Sequence, residues 1–539
     1  MIDARAWCVI LAGLTALAGC ATVPEPLTGP EIATRAASDK RLLKQTVVPV
    51  DRALTFSEAA AHALANNLDI RSASLDAVLA RGQVDLADLQ KLPGLVRNAG
   101  YTWRDPPGNA ADKVPGDQVR RTFSTELSWN ILDFGVSYVR AKQEANNVLI
   151  AEERKRRTAN TIVNDVRLAY WQSLLAAQRL PQISAISAEI DAAMQQSRRL
   201  GELRLQDPLV ALTYQEGLLD LQRQIKSYEA EAAQSKHRLA RLLNAAPGQN
   251  IRLIAERRDD TIRALRKVDI DVIEDVALAT RSELREQDYT ARNRRIDVWA
   301  AYLQMLPTLR LRFANMFDSS TGLRNNGWYE EGYIGAWNIL GIWQNYERSR
   351  QAGASLRSVD LRRLGLSMAV MEQARAAREQ LGVIEEDYSL SLRTTEVRQQ
   401  IWDIRRVRLP FAESDELERA RAAVALVAAQ IREDRAYASL QKSYGDLLAS
   451  IGIDQYPDGI DLVSPAQAGL AIAQHLERLP AEVMSMAAAI AAAGKAAATP
   501  AARDIAVTPL VSPALSPALS PAAPPAVSPA GSPASAVKP

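Results

Sequence analysis

The sequence predicts a mainly helical protein made of two similar halves, each with a pair of β-strands followed by long helices. Three observations lead to this prediction: a repeat of about 200 residues, long helical segments with few glycines, and short segments that alternate between apolar and polar residues. Solenoid modules are much shorter, at about 20–50 residues. We therefore interpret the repeat as a duplicated half-domain.

The repeat is visible in short matching motifs. Two motifs recur at an offset of 214 residues, Ala63-Leu64-Ala65 at 277–279 and Leu92-Pro93 at 306–307. The motif Trp129-Asn130-Ile131-Leu132 recurs at an offset of 208, at 337–340, and Asp207 matches Asp415 at the same offset. The difference of six residues must fall in the Pro-, Gly- and Asp-rich stretch between Leu95 and Trp129, which indicates a loop tip of different length.

The motifs and composition divide the chain into seven segments. They are a signal peptide (1–19), a lipidated N-terminal segment (20–53), a first repeat (54–250), a linker (251–270), a second repeat (271–455), an Ala-rich segment (456–499) and a Pro/Ala/Ser tail (500–539). Proline every few residues disfavours helix and sheet, so we expect the tail to be disordered.

The N-terminus predicts export and lipidation. Residues 7–19 form an apolar run of signal-peptide length, too short to span a membrane as a helix. The run ends in Leu17-Ala18-Gly19-Cys20, which resembles the lipobox of bacterial lipoproteins. That resemblance implies a covalent diacylglycerol on Cys20 and sorting to the outer membrane. The alternative is an ordinary secretory signal in which Cys20 is incidental.

Composition argues against several classes of function. The net charge of +2 implies no nucleic-acid partner. Once the signal peptide is removed, Cys20 is the single cysteine, so a disulfide framework or a Cys-based metal site is not possible. The three histidines lack metal-ligand spacing. We therefore expect no metal and no cofactor apart from the lipid.

Each half is predicted to contain one shorter and two longer helices. The shorter helices cover 57–90 and 271–304, and the longer ones cover 135–206, 208–244, 346–408 and 414–451. Asp207 before Pro208 is a favourable N-cap. Pro181 predicts a kink or break in the first long helix. Spacings of four and three predict a coiled-coil seam along Leu221, Ile225, Tyr228, Ala232, Ser235, Leu239 and Leu242.

Strand pairs are predicted between the shorter and longer helices. Phe123, Thr125, Leu127 and Trp129 alternate with polar residues, and similar alternation occurs at 99–104, 309–314 and 333–337. Alternating segments of about ten residues with aromatic tips match transmembrane β-strands. The alternative is a soluble sheet with one wet face. Four strands cannot close a membrane barrel, so a membrane location requires an oligomer.

These features together resemble the TolC-type outer-membrane efflux proteins over about residues 54–455. The residues that carry the resemblance are Leu92-Pro93 before a strand, the motif at 129–135 after one, and Gly201 with Asp207 at a helical turn. The family implies a homotrimer with a twelve-stranded transmembrane β-barrel, continued by a periplasmic α-helical barrel. Residues 251–270 and 456–499 then fall in its equatorial region. The implied location is the outer membrane of a Gram-negative bacterium, lipid-anchored and extending into the periplasm.

The resemblance also assigns candidate site residues at two helical tips. The implied contacts with a periplasmic adaptor protein, which joins the duct to an inner-membrane transporter, are Gly201, Leu203, Arg204, Asp207, Leu409 and Pro410. Leu409 stands where the family typically has glycine. By position, Asp415 and Glu418 match the acidic aperture of the family, and threefold symmetry implies six carboxylates there. The alternatives are that Asp207 and Asp415 are N-caps and that Glu418 is a first-turn acid, with Arg405, Arg406 and Arg408 as nearby partners.

We expect a passive exit duct for a tripartite efflux pump. Two alternatives remain, an exit duct for type I protein secretion and a lipid-anchored periplasmic coiled-coil scaffold without a pore. The scaffold leaves the alternating strands unexplained. An enzyme is not expected, because the sequence shows no nucleophile and base pairing, metal cluster or phosphate loop. The sequence does not identify the cargo.

Overall fold

The computed structural model describes residues 25–103, 119–203, 207–246, 248–255, 259–266, 268–320, 323–407 and 413–497. The chain forms two compact units, Met1–Ile490 and Ala491–Pro539. The first contains both repeats, and the described part of the second, residues 491–497, is helical. Among the described residues, every helix is either too short or too polar to cross a membrane. The predicted signal peptide, Cys20 and the tail at 500–539 lie outside the described residues.

Two very long helices dominate the first unit. α4 has 72 residues and α9 has 69, so each extends for about 105 Å at 1.5 Å per residue. The helices are α1 (Gly29–Thr46), α2 (Phe56–Asn66), α3 (Leu68–Leu89), α4 (Ile131–Glu202), α5 (Pro208–Leu242), α6 (Asp259–Arg266), α7 (Ile270–Thr280), α8 (Ser282–Leu303), α9 (Ile339–Val407), α10 (Glu413–Ile451) and α11 (Pro465–Ala497).

In the described part of the chain, four strands form one antiparallel sheet in the order β1-β2-β3-β4. The strands are β1 (Gly94–Trp103), β2 (Val119–Asn130), β3 (Thr308–Asp318) and β4 (Gly327–Ala336). β2 of the first repeat pairs with β3 of the second, so the sheet joins the two halves. β1 and β4 are its two edges. The predicted strand pairs are therefore confirmed. β2, β3 and β4 begin before the predicted alternation, and β4 ends at Ala336, one residue before its predicted end.

The two shorter helices were predicted as single elements, and this is wrong in both repeats. The first is divided at Asn67, whose side chain accepts from the N–H of Asp69 and caps α3. The second is divided at Arg281, which offers no side-chain cap. Asn67 donates to the carbonyl of Leu242, and Arg281 donates to the carbonyl of Ala449. Each division therefore faces the end of the last long helix of its own repeat.

The ends of α5 and α10 show the duplication in backbone geometry. Asn244 and Gly452, which are 208 residues apart, both have positive φ, of 52° and 77°. The following N–H groups bond back five residues in both copies, Ala245 to Ala240 and Ile453 to Leu448. A left-handed residue after a helix allows this reverse bond. The repeat is thus preserved in the helix caps as well as in the motifs.

α4 continues through Pro181, so of the predicted kink or break, the break is wrong and the kink stays a prediction. Proline removes one helical hydrogen bond at a cost of about 3 kcal/mol. Buried side chains lie on both sides of it, Leu174 and Leu175 before it and Ile183 and Ile186 after it. Each fully buried aliphatic side chain contributes about 1.5–3 kcal/mol. Packing against α5 and α10 therefore outweighs the local conflict.

Two apolar cores lie along the long helices. The larger core joins both repeats around a chain of edge-to-face aromatic contacts that runs from Phe56 through Tyr170 and Trp171 to Tyr437. The smaller core lies towards the helical tips, around Leu218, Ile225 and Val427. The predicted seam of α5 is buried at every position except Tyr228, which is partly buried.

Candidate functional site

One face of the sheet is apolar and exposed. Phe123, Leu127 and Trp129 of β2 lie on it, as the alternation predicts. The register extends this face across the sheet, because Leu127 lies opposite Leu95 of β1 and Phe313 of β3. Its other exposed side chains include Tyr101, Trp103, Leu309, Phe317, Tyr329 and Tyr333. A continuous apolar face of this kind marks an interaction with lipid or with protein.

The opposite face of the sheet is polar, and its charges are paired across strands. The guanidinium of Arg312 lies 3.1 Å from a carboxylate oxygen of Glu126 on β2 and 3.1 Å from one of Glu330 on β4. Near the loop end of β2, Arg120 forms hydrogen bonds with both carboxylate oxygens of Asp318. These charged pairs suit a face that contacts water.

The repeated Trp-Asn-Ile-Leu motif forms the turn from strand to long helix. Asn130 Oδ1 accepts from the N–H of Leu132 at 3.1 Å, at the start of α4. Asn338 Oδ1 accepts from the N–H of Gly341 at 2.8 Å, at the start of α9. Asparagine is a favoured N-cap because its side chain satisfies a free N–H of the first turn. The motif therefore fixes where each strand becomes a helix.

The first helical tip lies between α4 and α5. Gly201 lies in the last turn of α4, and the side chain of Leu203 is 67% exposed. Asp207 accepts from the N–H of Leu209 at 2.8 Å, so its predicted N-cap role is confirmed. Arg204 lies outside the described residues. Contact of these residues with an adaptor stays a prediction.

The second helical tip contains the predicted aperture. α10 begins at Glu413, which places Asp415 in its first turn, although the side chain of Asp415 is not among those described. Glu418 lies 3.5 Å from Arg405 of α9 and 2.9 Å from Arg421 of α10. The predicted pairing of Glu418 with a nearby arginine is confirmed for Arg405. Leu409 and Pro410 lie outside the described residues, and the aperture itself stays a prediction.

A polar cluster that the sequence did not indicate joins the two repeats. Arg156 Nε of α4 lies 2.6 Å from Asp454 Oδ2, and Arg156 Nη2 donates to the carbonyl of Gly452 at 3.0 Å. Asn160 accepts from the N–H of Gln455 and donates to Asp454. We call Arg156, Asn160, Gly452 and Asp454 the repeat clamp. The two members on α4 are about 300 residues from the two members that follow α10, and no local motif marks them.

A buried arginine lies in the larger core. The guanidinium of Arg167 lies 4.2 Å from the ring centre of Phe56 and 5.4 Å from that of Tyr444. It also donates to Gln455 Oε1 at 2.9 Å. Burial lowers the pKa of Arg167 to about 10, and Tyr444 and Tyr437 act in the opposite direction. Arg167 is therefore still a cation at neutral pH, held by aromatic faces and an amide.

We expect His62 of α2 to make stability depend on pH. Burial lowers the pKa of His62 below 6.5, and Arg52 adds to this effect, while a hydrogen bond with the Leu243 backbone opposes it. A lowered folded pKa gives stability that is complete above the unfolded pKa and is lost as the pH falls through the folded value. His62→Gln should therefore remove a loss of stability below about pH 6.5.

Guanidinium unfolding of the detergent-solubilised protein between about pH 5 and pH 8 measures this effect. His237→Gln is the matched control, because His237 is an exposed histidine of α5. Equal pH slopes for the wild type and His62→Gln would contradict the expected role of His62.

No group of three or more His, Cys, Asp or Glu side chains is arranged to hold a metal ion in the described part of the chain. The polar clusters described above are ion pairs and helix caps. The features that distinguish this protein are therefore the two-faced sheet, the long paired helices and the two tips.

Comparison with known proteins confirms the predicted resemblance. The family model described as outer membrane efflux protein matches residues 59–245. The cation efflux system protein CusC of Escherichia coli O6:H1 (strain CFT073) is 30% identical over 190 residues, which are 34% of this chain and 39% of CusC. The probable outer membrane lipoprotein SilC of Salmonella typhimurium is 28% identical over 183 residues, 34% of this chain and 37% of SilC. The chain thus matches about two fifths of the length of these relatives.

Solved structures show the same fold over more of the chain. The CmeC outer membrane channel of Campylobacter jejuni has a TM-score of 0.63 at 13% identity, covering 77% of this chain and 89% of CmeC. A crystal structure of CusC has a TM-score of 0.58 at 18% identity, covering 74% of this chain and 92% of CusC. The outer-membrane channel OprN has a TM-score of 0.58 at 17% identity, covering 74% and 89%.

Proposed function

From the outer membrane efflux protein match over residues 59–245, we propose that this chain forms the outer-membrane exit duct of a tripartite efflux system. The observation that supports this function best is the sheet, which is apolar and exposed on one face and ion-paired on the other. The sheet continues through Asn130 and Asn338 into helices about 105 Å long. A scaffold without a pore has no use for such a sheet.

The duct is a homotrimer in this proposal. Four strands with two open edges cannot remain in lipid, because every backbone N–H and C=O must be paired there. Three copies supply twelve strands, which close into one barrel and leave no edge. The apolar face then contacts lipid, and the face with Arg312, Glu126 and Glu330 lines a wet lumen. The long helices continue the duct into the periplasm.

The proposed partners lie at the helical tips and in the membrane. Exposed Leu203 and the capped turn at Asp207 offer a surface for a periplasmic adaptor, which joins the duct to an inner-membrane transporter. A diacylglycerol on Cys20 anchors the N-terminus in the outer membrane of a Gram-negative bacterium. The transporter selects the cargo in such an assembly, and the duct supplies the route.

Single-channel conductance in planar bilayers tests the duct and its aperture together. We expect the wild-type trimer to give a small, cation-selective conductance, because carboxylates close to one another attract cations. Asp415→Ala combined with Glu418→Ala should enlarge the conductance or reduce its selectivity. The change also frees Arg405 and Arg421 from Glu418, which favours anions in the same place.

Asp207→Ala is the matched control, because Asp207 occupies the position in the first repeat that Asp415 occupies in the second. Its conductance should equal that of the wild type. A conductance unchanged by the double substitution would move the constriction away from Asp415 and Glu418. A folded trimer that conducts no ions would overturn the duct and favour the lipid-anchored scaffold.

A further inference from the structure

The two edges of the sheet carry opposite charges on the face that is mainly apolar. β1 has Arg97 there, and β4 has Glu331, and both are exposed. The third charge on this face, Arg121, lies on the inner strand β2 close to its loop end. An arginine or lysine facing lipid costs about 2–4 kcal/mol at the middle of the membrane. Arg97 and Glu331 therefore need a partner, and they lie on the edges that adjacent protomers bring together.

The helix-proximal ends of the edge strands indicate one register for this seam. β1 begins at Gly94 and β4 ends at Ala336, both at the end of the sheet that joins the helices, so pairing from these two ends places Gly94 opposite Ala336 and Trp103 opposite Gly327. Within one protomer, Gly94 of β1 lies opposite Ser128 of β2, which lies opposite Arg312 of β3. Arg312 in turn lies opposite Gly332 of β4. The step from Gly332 to Ala336 is a shift of four residues at each seam.

This shift gives an acceptable barrel. Three seams of four residues shift the register by twelve residues around twelve strands. With a rise of about 3.3 Å per residue and about 4.8 Å between strands, the strands tilt by about 35° from the axis. Closed barrels typically have tilts of about 35–45°. Pairing of β1 with β4 in this register is therefore compatible with closure of the barrel.

Small and large side chains are complementary in this register. Leu95 and Trp103 of β1 lie opposite Gly335 and Gly327 of β4. Leu95 is 70% exposed and Trp103 is 61% exposed within one protomer. A side chain built at Gly335 would meet no atom within 4 Å, so the large neighbour has room there. Aromatic and aliphatic side chains that cover edge glycines stabilise strand pairing.

We infer that β1 and β4 of adjacent protomers pair with Gly94 opposite Ala336 and that Arg97 forms an ion pair with Glu331 of the adjacent protomer across this seam. In this register Arg97 lies opposite Tyr333, and Glu331 lies opposite Ala99, so the two charges are diagonal neighbours. Diagonal neighbours in antiparallel strands are about 7–8 Å apart, within reach of long side chains. The partner is a second copy of this chain, and the inference rests on the proposed trimeric duct.

Charge exchange tests the ion pair. Arg97→Glu and Glu331→Arg alone each place like charges at all three seams, so we expect the SDS-resistant trimer to dissociate at a temperature lower by about 5–10 °C. The double exchange should restore the wild-type temperature. Arg121→Glu is the matched control, since it makes the same change of charge on the same face away from the seam. The ion pair would be overturned if the single exchanges lower the dissociation temperature no more than Arg121→Glu does. It would also be overturned if the double exchange does not restore the wild-type dissociation temperature.

Cysteine cross-linking tests the register. Asn98→Cys with Gly332→Cys places two thiols directly opposite and leaves Arg97 and Glu331 intact, so oxidation should give covalent trimers on non-reducing gels. Asn98→Cys with Ala336→Cys is four residues out of register. After heating above the dissociation temperature of the SDS-resistant trimer, this offset pair should run as a monomer, whereas the first pair should stay a covalent trimer. Cross-linking by the offset pair instead, or by neither pair in a trimer confirmed by native mass spectrometry, would overturn the register. A wild-type protein that is monomeric in detergent and inactive in bilayers overturns the duct and the seam together.

Discussion

Gly452→Ala is expected to destabilise the protein by about 2–5 kcal/mol, measured as the free energy of unfolding in denaturant titrations of the purified protein. Gly452 has φ of 77°, which costs a residue with a side chain about 1–2 kcal/mol. An added Cβ would also lie 2.7 Å from the backbone N and 2.8 Å from the Cα of Arg281. These are backbone atoms, so α8 must shift away and the bond from Arg156 to the Gly452 carbonyl is weakened.

Two matched variants separate the conformational cost from the steric cost. Gly459 has φ of 67° with open space around it, so Gly459→Ala should cost only the conformational part, about 1 kcal/mol. Asn244 is the counterpart of Gly452 in the first repeat, with φ of 52° and a side chain that donates to the Thr46 carbonyl at 2.9 Å. Asn244→Gly relieves the backbone strain but loses this hydrogen bond, so it should change stability by no more than about 1 kcal/mol. If Gly452→Ala is no less stable than Gly459→Ala, the backbone of Arg281 does not clash with a Cβ at position 452.

Asp454→Ala is expected to cost about 3 kcal/mol, because it removes the nearer carboxylate of Arg156 and leaves only Glu153, whose Oε2 lies 3.5 Å from Arg156 Nη1. The side chain of Arg156 is 22% exposed and that of Asp454 is 13% exposed. Burial raises the pKa of Asp454 even though Arg156 and Asn160 favour its charged form. The cost of removing the Asp454 carboxylate from water is therefore larger than the stabilisation of its charge by Arg156 and Asn160. Guanidinium unfolding at neutral pH measures the loss.

An exposed pair on the same helix is the control for this prediction. Glu152 of α4 pairs with Arg81 of α3, and the two side chains are 41% and 63% exposed. Glu152→Ala should cost no more than about 1 kcal/mol. Replacing both clamp charges, Arg156→Met with Asp454→Leu, should recover much of the stability lost in Asp454→Ala. If the double variant is less stable than Asp454→Ala, the clamp acts through its hydrogen bonds to Gly452 and Asn160 and not through its charges.

The candidate site was predictable to the extent that it depends on neighbouring residues. The N-cap role of Asp207 and the strand alternation around Phe123 follow from sequence spacing, and the structure confirms both. The pairing of Glu418 with Arg405 was indicated only by the charges near the turn, since the two residues meet across a helical hairpin. Arg421, which also contacts Glu418, was not identified, although its spacing of three residues on α10 was a usable signal.

By itself, the sequence determined the duplication, because short motifs recur at offsets of 208 and 214 residues. It also determined the long helices, the strands and the turns from strand to helix, because each of these depends on periodicity or capping within a few residues. Tertiary structure decided the rest. Asn67 ends α2 through a visible cap, whereas the division at Arg281 depends on contact with Gly452. Pro181 is tolerated because buried neighbours hold α4 together, and the repeat clamp joins residues about 300 positions apart. Such contacts depend on which surfaces meet after folding, and local spacing does not record that.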